Sequence, residues 1–322
     1  MYSKIAGTGS YLPEKILTNQ DLEKLVDTSD AWIRERTGIE RRHVAAEGQG
    51  TVDLAEPAAR RAIEAAGLVP ADIDLIVFAT STPDYVFPNA GVLLQQRLGC
   101  RGGAAFSLEA ACSGFMYALS VADKFVRAGE AKHALVVGSE VMSRITDWSD
   151  RATAILFADG AGAVVLSASE TPGVLSTHLH ADGSHQDLLY CPGGPGTRSG
   201  RPATTSAGFI HMEGREVFKI AVTELGRVVD EALAANGLAR AAIDWLVPHQ
   251  ANIRIIQGAA RKLDLPMERV IVTVQDHGNT SAASVPLALD TGVRDGRIRR
   301  GELLLLEAFG AGFTWGAALV RF

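Results

Sequence analysis

Residues 62–78 read AIEAAGLVPADIDLIVF, and residues 232–248 read ALAANGLARAAIDWLVP. Eight of these seventeen aligned positions are identical, at a constant offset of 170 residues. Each copy predicts an Ala-rich helix that ends at a C-capping glycine, a short turn containing an aspartate, and a buried strand. The chain therefore carries an internal repeat of a β/α unit.

Further apolar segments correspond between the two copies in the same order. Strands that alternate with helices predict an α/β protein with mainly parallel sheets covered by helices. We expect two halves, residues 1–170 and 171–322, that share one plan. The corresponding segments are residues 104–108 with 270–274, 134–138 with 302–306, and 162–166 with 316–320.

Composition excludes several classes of function. The chain has 322 residues, 47% of them hydrophobic and 21% charged, which is typical of a globular enzyme with a large core. Its net charge of −6 argues against general nucleic-acid binding. Three cysteines without zinc-ligand spacing suggest neither a metal site nor a disulfide framework. Neither a signal peptide nor a membrane span is predicted, so we expect a cytoplasmic location.

Cys112 lies at a predicted strand-to-helix turn and is a candidate nucleophile. Residues 109–115 read EAACSGF, between the predicted strand 104–108 and a helical run from Met116 to Val126. A helix N-terminus favours an anion, so a thiolate at Cys112 is expected to have a lowered pKa and to act as a nucleophile. Taken alone, a single cysteine in an intracellular protein is more often a buried structural residue.

Three more loops follow predicted strands in the second half. PHQAN (248–252), DHGNTSAAS (276–284) and GAGFTWG (310–316) each follow an apolar run. Ligands of α/β sheets gather at the carboxyl ends of strands, so His249 and Asn279 are expected to meet Cys112 at one site. The glycine-rich loop can present backbone N–H groups to an oxyanion.

Four motifs together resemble those of the β-ketoacyl-[acyl-carrier-protein] synthase III family. They are ACSG (111–114), HQAN (249–252), GNTS (278–281) and FGAGFTWG (309–316). The resemblance implies a thiolase-like fold of two pseudo-symmetric βαβ-type halves in α-β-α-β-α layers. Degradative thiolases need a second cysteine near the C-terminus, and no cysteine follows Cys191. Elongating enzymes use Cys-His-His where this chain has Asn279, and we interpret His277 as structural. Chalcone-synthase-like enzymes share Cys-His-Asn but match the other motifs less well.

The resemblance implies a decarboxylating condensation that starts fatty-acid synthesis. Cys112 would take an acyl group from acyl-CoA, with acetyl-CoA as the expected primer, and His249 and Asn279 would stabilise the enolate formed from malonyl-ACP. Backbone N–H groups near Gly310, Ala311 and Gly312 would hold the oxyanion. The family commonly has glycine at position 311, and we expect that Ala311 does not need a positive φ. Neither a metal nor another cofactor is implied.

The resemblance also implies binding residues and a homodimer. Acyl carrier protein and acyl-CoA are the implied partners, and bulky pocket walls favour a short primer. Phe87 would close the acyl pocket of the second subunit. The implied residues are Trp32, Arg36, Thr37, Arg151 and Asn252 for coenzyme A, Lys219, Arg254, Arg261 and Lys262 for carrier protein, and Phe87, Met142, Phe157 and Leu189 for the acyl pocket.

Three other functions remain open from the sequence. An enzyme of the same fold could use a different primer to make a specialised ketide or quinolone precursor. A cysteine hydrolase of thioesters would use Cys112 and His249 but leave Asn279 without a role. A non-catalytic scaffold of this fold would need none of the three residues.

Overall fold

A computed structural model describes residues 1–100, 102–193 and 208–322 of the chain. Thirteen strands are found in these residues, and the predicted strands at 104–108 and 245–248 are confirmed. In chain order the strands are β1 (Tyr2–Tyr11), β2 (Lys15–Thr18), β3 (Arg41–Val44), β4 (Leu75–Ala79), β5 (Ala104–Leu108), β6 (His133–Val141), β7 (Asp159–Ser169), β8 (Val174–Ala181), β9 (Leu189–Tyr190), β10 (His211–Met212), β11 (Trp245–Pro248), β12 (Leu303–Gly310) and β13 (Thr314–Arg321).

Ten α-helices accompany the strands in the same described ranges. None of them is both long enough and apolar enough to cross a membrane. They are α1 (Asn19–Leu22), α2 (Asp30–Thr37), α3 (Thr51–Ala65), α4 (Ala90–Leu98), α5 (Gly114–Ala128), α6 (Arg151–Ala154), α7 (Gly214–Ala235), α8 (Ile253–Lys262), α9 (Val274–His277) and α10 (Ser284–Arg294).

Two mixed sheets form the framework, and the prediction of mainly parallel sheets is wrong. The first sheet has the order β1-β7-β6-β4-β5, in which only the β6-β4 and β4-β5 pairs are parallel. The second has the order β11-β12-β13-β8, in which only β11-β12 is parallel. Only residues 311–313 separate β12 from β13, and so short a connection permits only antiparallel pairing.

Helices and sheets stack in five layers, as predicted. Helices α3 and α4 cover the outer face of the first sheet, and α7 and α8 cover that of the second. Helices α5 and α10 contact both sheets and form the middle layer. The middle layer is held by a buried apolar cluster to which α5, α10 and strands of both sheets contribute.

The two central helices begin at positions related by the repeat. Helix α5 begins at Gly114 and α10 at Ser284, and 284 − 114 = 170. Each follows a single 3₁₀ turn, Ala111–Ser113 or Ser281–Ala283. Both turns open with a non-glycine residue of positive φ, since φ is 44° at Ala111 and 50° at Ser281. The duplication therefore places two strained turns at the amino ends of the central helices.

One predicted strand, residues 270–274, is wrong. Val270 makes only an isolated bridge to Leu246, and the chain turns into α9 at Val274. The reason is a side chain, because Gln250 Oε1 accepts hydrogen bonds from the backbone N–H groups of Thr273 (2.8 Å) and Val274 (3.1 Å). These donors are thereby satisfied without a neighbouring strand.

Candidate active site

Cys112 lies in the 3₁₀ turn that links the end of β5 to α5. Its side chain is 7% exposed and faces two cavities. The loop after β12 approaches the turn so closely that a Cβ on Gly310 would lie 2.7 Å from the backbone nitrogen of Cys112. Only glycine fits there. Ala311 is not among the residues of positive φ, so its methyl group is tolerated as expected.

The expected lowering of the Cys112 pKa is wrong. Burial raises the pKa of the thiol to about 12, and the nearby carboxylates of Glu140 and Glu109 raise it further. The nearby Ser281 hydroxyl lowers the pKa of the thiol and so acts in the opposite direction. Desolvation outweighs the helix terminus because an anion in this turn has lost its water. The resting residue is a thiol, and acylation has to remove its proton.

His249 directly follows β11. Its backbone N–H donates to Glu307 O at 2.8 Å, which fixes the residue beside β12. The ring is 6% exposed, and among the described residues Nδ1 has no hydrogen-bond partner. Burial lowers the pKa of His249 to about 4, so the imidazole is neutral near pH 7. A neutral ring can donate one N–H to a substrate carbonyl.

Asn279 is held by its backbone and by its amide oxygen. Its N–H donates to Leu156 O at 2.9 Å, and its carbonyl accepts from Ala158 N at 2.9 Å. Its Oδ1 accepts from the backbone N–H of Ser281 at 3.0 Å. This contact leaves the Nδ2 amine as the group of Asn279 that can donate to a ligand.

The side chains of Cys112, His249 and Asn279 line one cavity of about 140 Å³. Its other walls are largely apolar, and α7 and α8 contribute many of them. Asn252 lies among the lining residues as the N-cap of α8. One thiol and two neutral donors thus meet in a narrow apolar channel. Such a site can hold a thioester carbonyl and stabilise the negative charge that develops on it.

Cys112 also faces a second, wider cavity of about 940 Å³. Met142, Phe157 and Leu189, which the sequence analysis assigns to the acyl pocket, line this cavity. Phe87 does not line the cavity of its own chain, and its side chain is 84% exposed. Neighbouring Tyr85 and Val86 do reach the cavity.

The predicted coenzyme A residues do not all occupy suitable positions. The guanidinium carbons of Arg36 and Arg151 lie 4.8 and 4.9 Å from the centre of the Trp32 ring. Thr37 is buried, and its hydroxyl donates to Ile33 O and accepts from Ile39 N. The structure therefore does not support a contact between Thr37 and coenzyme A.

Basic residues predicted to dock carrier protein are all exposed, but two already have acidic partners. Arg254 lies 3.5 Å from Glu35, and Lys219 lies 2.7 Å from Glu216. Arg261 and Lys262 lie in the last turn of α8. Exposed ion pairs of this kind are weak and can exchange partners.

The sequence analysis missed buried carboxyl groups at the site. Glu307 lines the narrow cavity, and neither of its carboxyl oxygens has a hydrogen-bond partner within the described part of the chain. Burial raises its pKa to about 8. Glu140 is also fully buried, and its pKa is raised to about 7. The sequence pattern could have indicated both buried acids, because each is a single acidic residue in an otherwise largely apolar strand. The strands are LLLLEAFG (303–310) for Glu307 and HALVVGSEV (133–141) for Glu140.

Glu307→Gln is expected to stabilise the protein increasingly as the pH rises from about 5 to 8. A carboxyl whose folded pKa is raised contributes stability below its unfolded pKa of about 4.3 and loses it as the pH rises through the folded value. The wild type should therefore lose up to about 1.4 kcal/mol per pH unit relative to the variant. Urea denaturation of both proteins at several pH values measures this difference. A constant difference would contradict the prediction.

Comparison with known proteins identifies close relatives. Family models described as 3-oxoacyl-[acyl-carrier-protein (ACP)] synthase III match residues 106–183 and, for the C-terminal model, 233–322. The β-ketoacyl-[acyl-carrier-protein] synthase III of Alkalilimnicola ehrlichii is 64% identical, covering 100% of this chain and 99% of the relative. The 3-oxoacyl-[acyl-carrier-protein] synthase III crystal structure from Aquifex aeolicus VF5 has a TM-score of 0.93 at 46% identity, covering 99% of this chain and 100% of that one. The priming β-ketosynthase of the R1128 polyketide pathway has a TM-score of 0.93 at 36% identity, covering 99% and 96%.

Proposed function

The chain belongs to the β-ketoacyl-[acyl-carrier-protein] synthase III family, and from this premise we propose the role of each site residue in the reaction. The protein is an acyltransferase that condenses acyl-CoA with malonyl-ACP to initiate fatty-acid synthesis. The observation that carries the proposed roles is the shared cavity of Cys112, His249 and Asn279. A hydrolase would not need the amide of Asn279, and a scaffold would need none of the three.

In the first half-reaction, Cys112 Sγ attacks the thioester carbonyl of acyl-CoA. The close approach of Gly310 to the Cys112 turn supports an oxyanion site built from backbone N–H groups there. Coenzyme A leaves, and the acyl group stays on Sγ. The narrow channel carries the pantetheine arm, and the wider cavity, which Cys112 also lines, receives the acyl group.

In the second half-reaction, malonyl-ACP enters the channel that coenzyme A has left. His249 and Asn279 donate hydrogen bonds to its thioester carbonyl, which becomes an enolate as CO₂ departs. Both donors are neutral near pH 7, so they stabilise the enolate without giving up a proton to it. The carbanion attacks the acyl-enzyme, and 3-ketoacyl-ACP leaves.

The remaining contacts divide between the two substrates. Trp32, Arg36 and Arg151 form a cluster whose flat groups suit an adenine ring. The exposed basic residues Lys219, Arg254, Arg261 and Lys262 suit an acidic carrier protein. Replacing a residue of either group should raise KM for only one substrate.

We infer that the primer is acetyl-CoA and that the enzyme acts as a homodimer. The wide cavity alone would admit longer chains, and exposed Phe87 stands beside it on the same surface as Tyr85 and Val86. Large exposed apolar side chains of this kind mark interaction surfaces. Phe87 of a second copy would then shorten the acyl pocket.

Phe87→Ala is expected to shift primer preference toward longer acyl chains. The wild type should use acetyl-CoA best in assays with malonyl-ACP and acyl-CoAs of increasing length. In the variant, the kcat/KM ratio of a four-carbon to a two-carbon primer should rise about tenfold or more, since each methylene is worth about 1–3 kcal/mol. Sedimentation should show a dimer for the wild type. An unchanged ratio, or a monomeric active enzyme, would refute this arrangement.

A further inference from the structure

Glu140 is a buried acid that the proposed reaction does not use. It lies near the end of β6, fully buried, and receives five hydrogen-bond donors. The donors are Thr82 Oγ1 at 2.6 Å and, each at 3.1 Å, Thr80 Oγ1, Ser81 N, Thr82 N and Ser281 Oγ. Such a set of donors stabilises a carboxylate, whereas burial favours the protonated acid. The group is thus able to hold either state near neutral pH.

Ser281 connects this carboxylate to the nucleophile. Its hydroxyl donates to Glu140 Oε1 at 3.1 Å. The 3₁₀ turn that carries Ser281 contacts the turn that carries Cys112, and both residues line the wider cavity. Ser281 is 1% exposed and has the strained φ of 50°, so the fold holds the hydroxyl at one place. Its backbone N–H holds Asn279 independently of the hydroxyl. The side chain and the main chain of Ser281 therefore serve different partners.

We propose that Cys112, Ser281 and Glu140 form a proton relay that takes the thiol proton during acylation and returns it when the product leaves. The inference rests on the proposed function, because it presupposes an acyl-enzyme on Cys112. It assigns Ser281 and Glu140 a role separate from the enolate-binding pair. His249 remains a neutral donor throughout.

The protons balance over one cycle. During acylation a bond forms between Sγ and the acyl carbon, and the thioester bond to coenzyme A breaks. The Sγ proton passes to Ser281 Oγ while the Ser281 hydroxyl proton passes to Glu140, and the coenzyme A thiolate takes a proton from water. During condensation the Sγ–acyl bond breaks, and the same two transfers run backwards onto the thiolate. The cycle consumes one proton, as loss of CO₂ from a malonyl carboxylate requires.

Other ionisable groups around Glu140 are few. Cys112 and Glu109 lie on the β5 side, and Glu109 Oε1 accepts from Ala111 N at 2.8 Å and from Ser81 Oγ at 2.9 Å. On β7, Asp159 accepts from backbone N–H groups of Ala45 and Ser143 instead. In the described ranges no lysine or arginine donates to Glu140. Its titration therefore depends mainly on burial and on the relay itself.

The test is the pH dependence of a single acylation. Rapid quenching after mixing with acetyl-CoA, followed by intact-protein mass, gives the rate from about pH 5.5 to 8.5. The wild-type rate should fall as the pH drops through about 7, because a protonated Glu140 cannot accept the thiol proton. Ser281→Ala and Glu140→Gln should each be at least about tenfold slower at neutral pH and should lose that inflection.

Ser113→Ala is the matched control. Ser113 is a buried serine next to Cys112, but its hydroxyl lies within hydrogen-bond distance of Ala110 O and Thr314 Oγ1, at 2.8 Å from each. This variant should keep the inflection. If the relay variants are slower but keep the wild-type inflection, Ser281 and Glu140 are only structural and the relay is refuted.

The pH profile of the wild-type acylation rate tests the relay even if a variant does not fold. An acylation rate without an inflection near pH 7 contradicts the relay while leaving the proposed function intact. A wild type that forms no acyl adduct at any pH contradicts the proposed function and the relay together. The two failures are therefore distinguishable in one data set.

Discussion

Cys112→Ser is expected to abolish the acyl-enzyme. Wild-type protein mixed with acetyl-CoA should gain the mass of one acetyl group, and added malonyl-ACP should remove it. The serine variant should gain none, and the overall condensation should fall at least about 1,000-fold. A serine hydroxyl is a far weaker acid than the thiol, whose own pKa the buried turn already raises to about 12.

Trp32→Ala is a useful control for this experiment. The Trp32 ring lies within 4.9 Å of two guanidinium carbons, and Trp32 does not line the narrow cavity that contains Cys112. The variant should still reach the full acetyl adduct but should need more acetyl-CoA to do so. An adduct on the Cys112→Ser variant would place the acyl group on another residue and would contradict the assignment of the nucleophile.

The sequence predicted features that depend on residues close together in the chain and missed features that depend on distant ones. The 170-residue offset predicted two β/α halves because each copy repeats the same helix, turn and strand, whereas the layered arrangement was implied by the family resemblance. Strand direction was not predicted, since an apolar run has the same pattern in either direction. The strand predicted at residues 270–274 is wrong because Gln250, distant in sequence, accepts hydrogen bonds from two of their backbone N–H groups. The strands of the two large sheets span residues 2–169 and 174–321, and the division into halves at 1–170 and 171–322 stays a prediction.

The chemistry of the site shows the same limit. Residue identity and loop position predicted that Cys112, His249 and Asn279 lie at one site. The pKa of Cys112 was predicted in the wrong direction because burial by the loop after β12 and by the turn at Ser281 is a tertiary effect. Glu140 and Glu307 belong to no sequence motif. The protonation state of each depends on which hydrogen-bond donors surround it in the fold.

Asn279→Ala is expected to separate the two half-reactions. The variant should still form the acyl-enzyme, because Asn279 is proposed to act only on the malonyl thioester. Condensation and CO₂ release should fall about 100- to 1,000-fold, the usual cost of removing one donor from a developing oxyanion. The measurements are the amount of acyl adduct from acetyl-CoA and the rate of CO₂ release after malonyl-ACP is added.

Asn279→Asp refines this result because it keeps the shape of the side chain and replaces the donor amine with a carboxyl oxygen. An aspartate keeps an oxygen that can accept from the Ser281 N–H, now made at 3.0 Å, but puts an acceptor where the amine stood. It should lose condensation at least as strongly as the alanine variant. Lys219→Ala, on the exposed side of α7, should instead raise KM for malonyl-ACP and leave the acyl adduct unchanged. If both Asn279 variants release CO₂ at the wild-type rate, the enolate is stabilised without this amide, and His249 with the backbone must suffice.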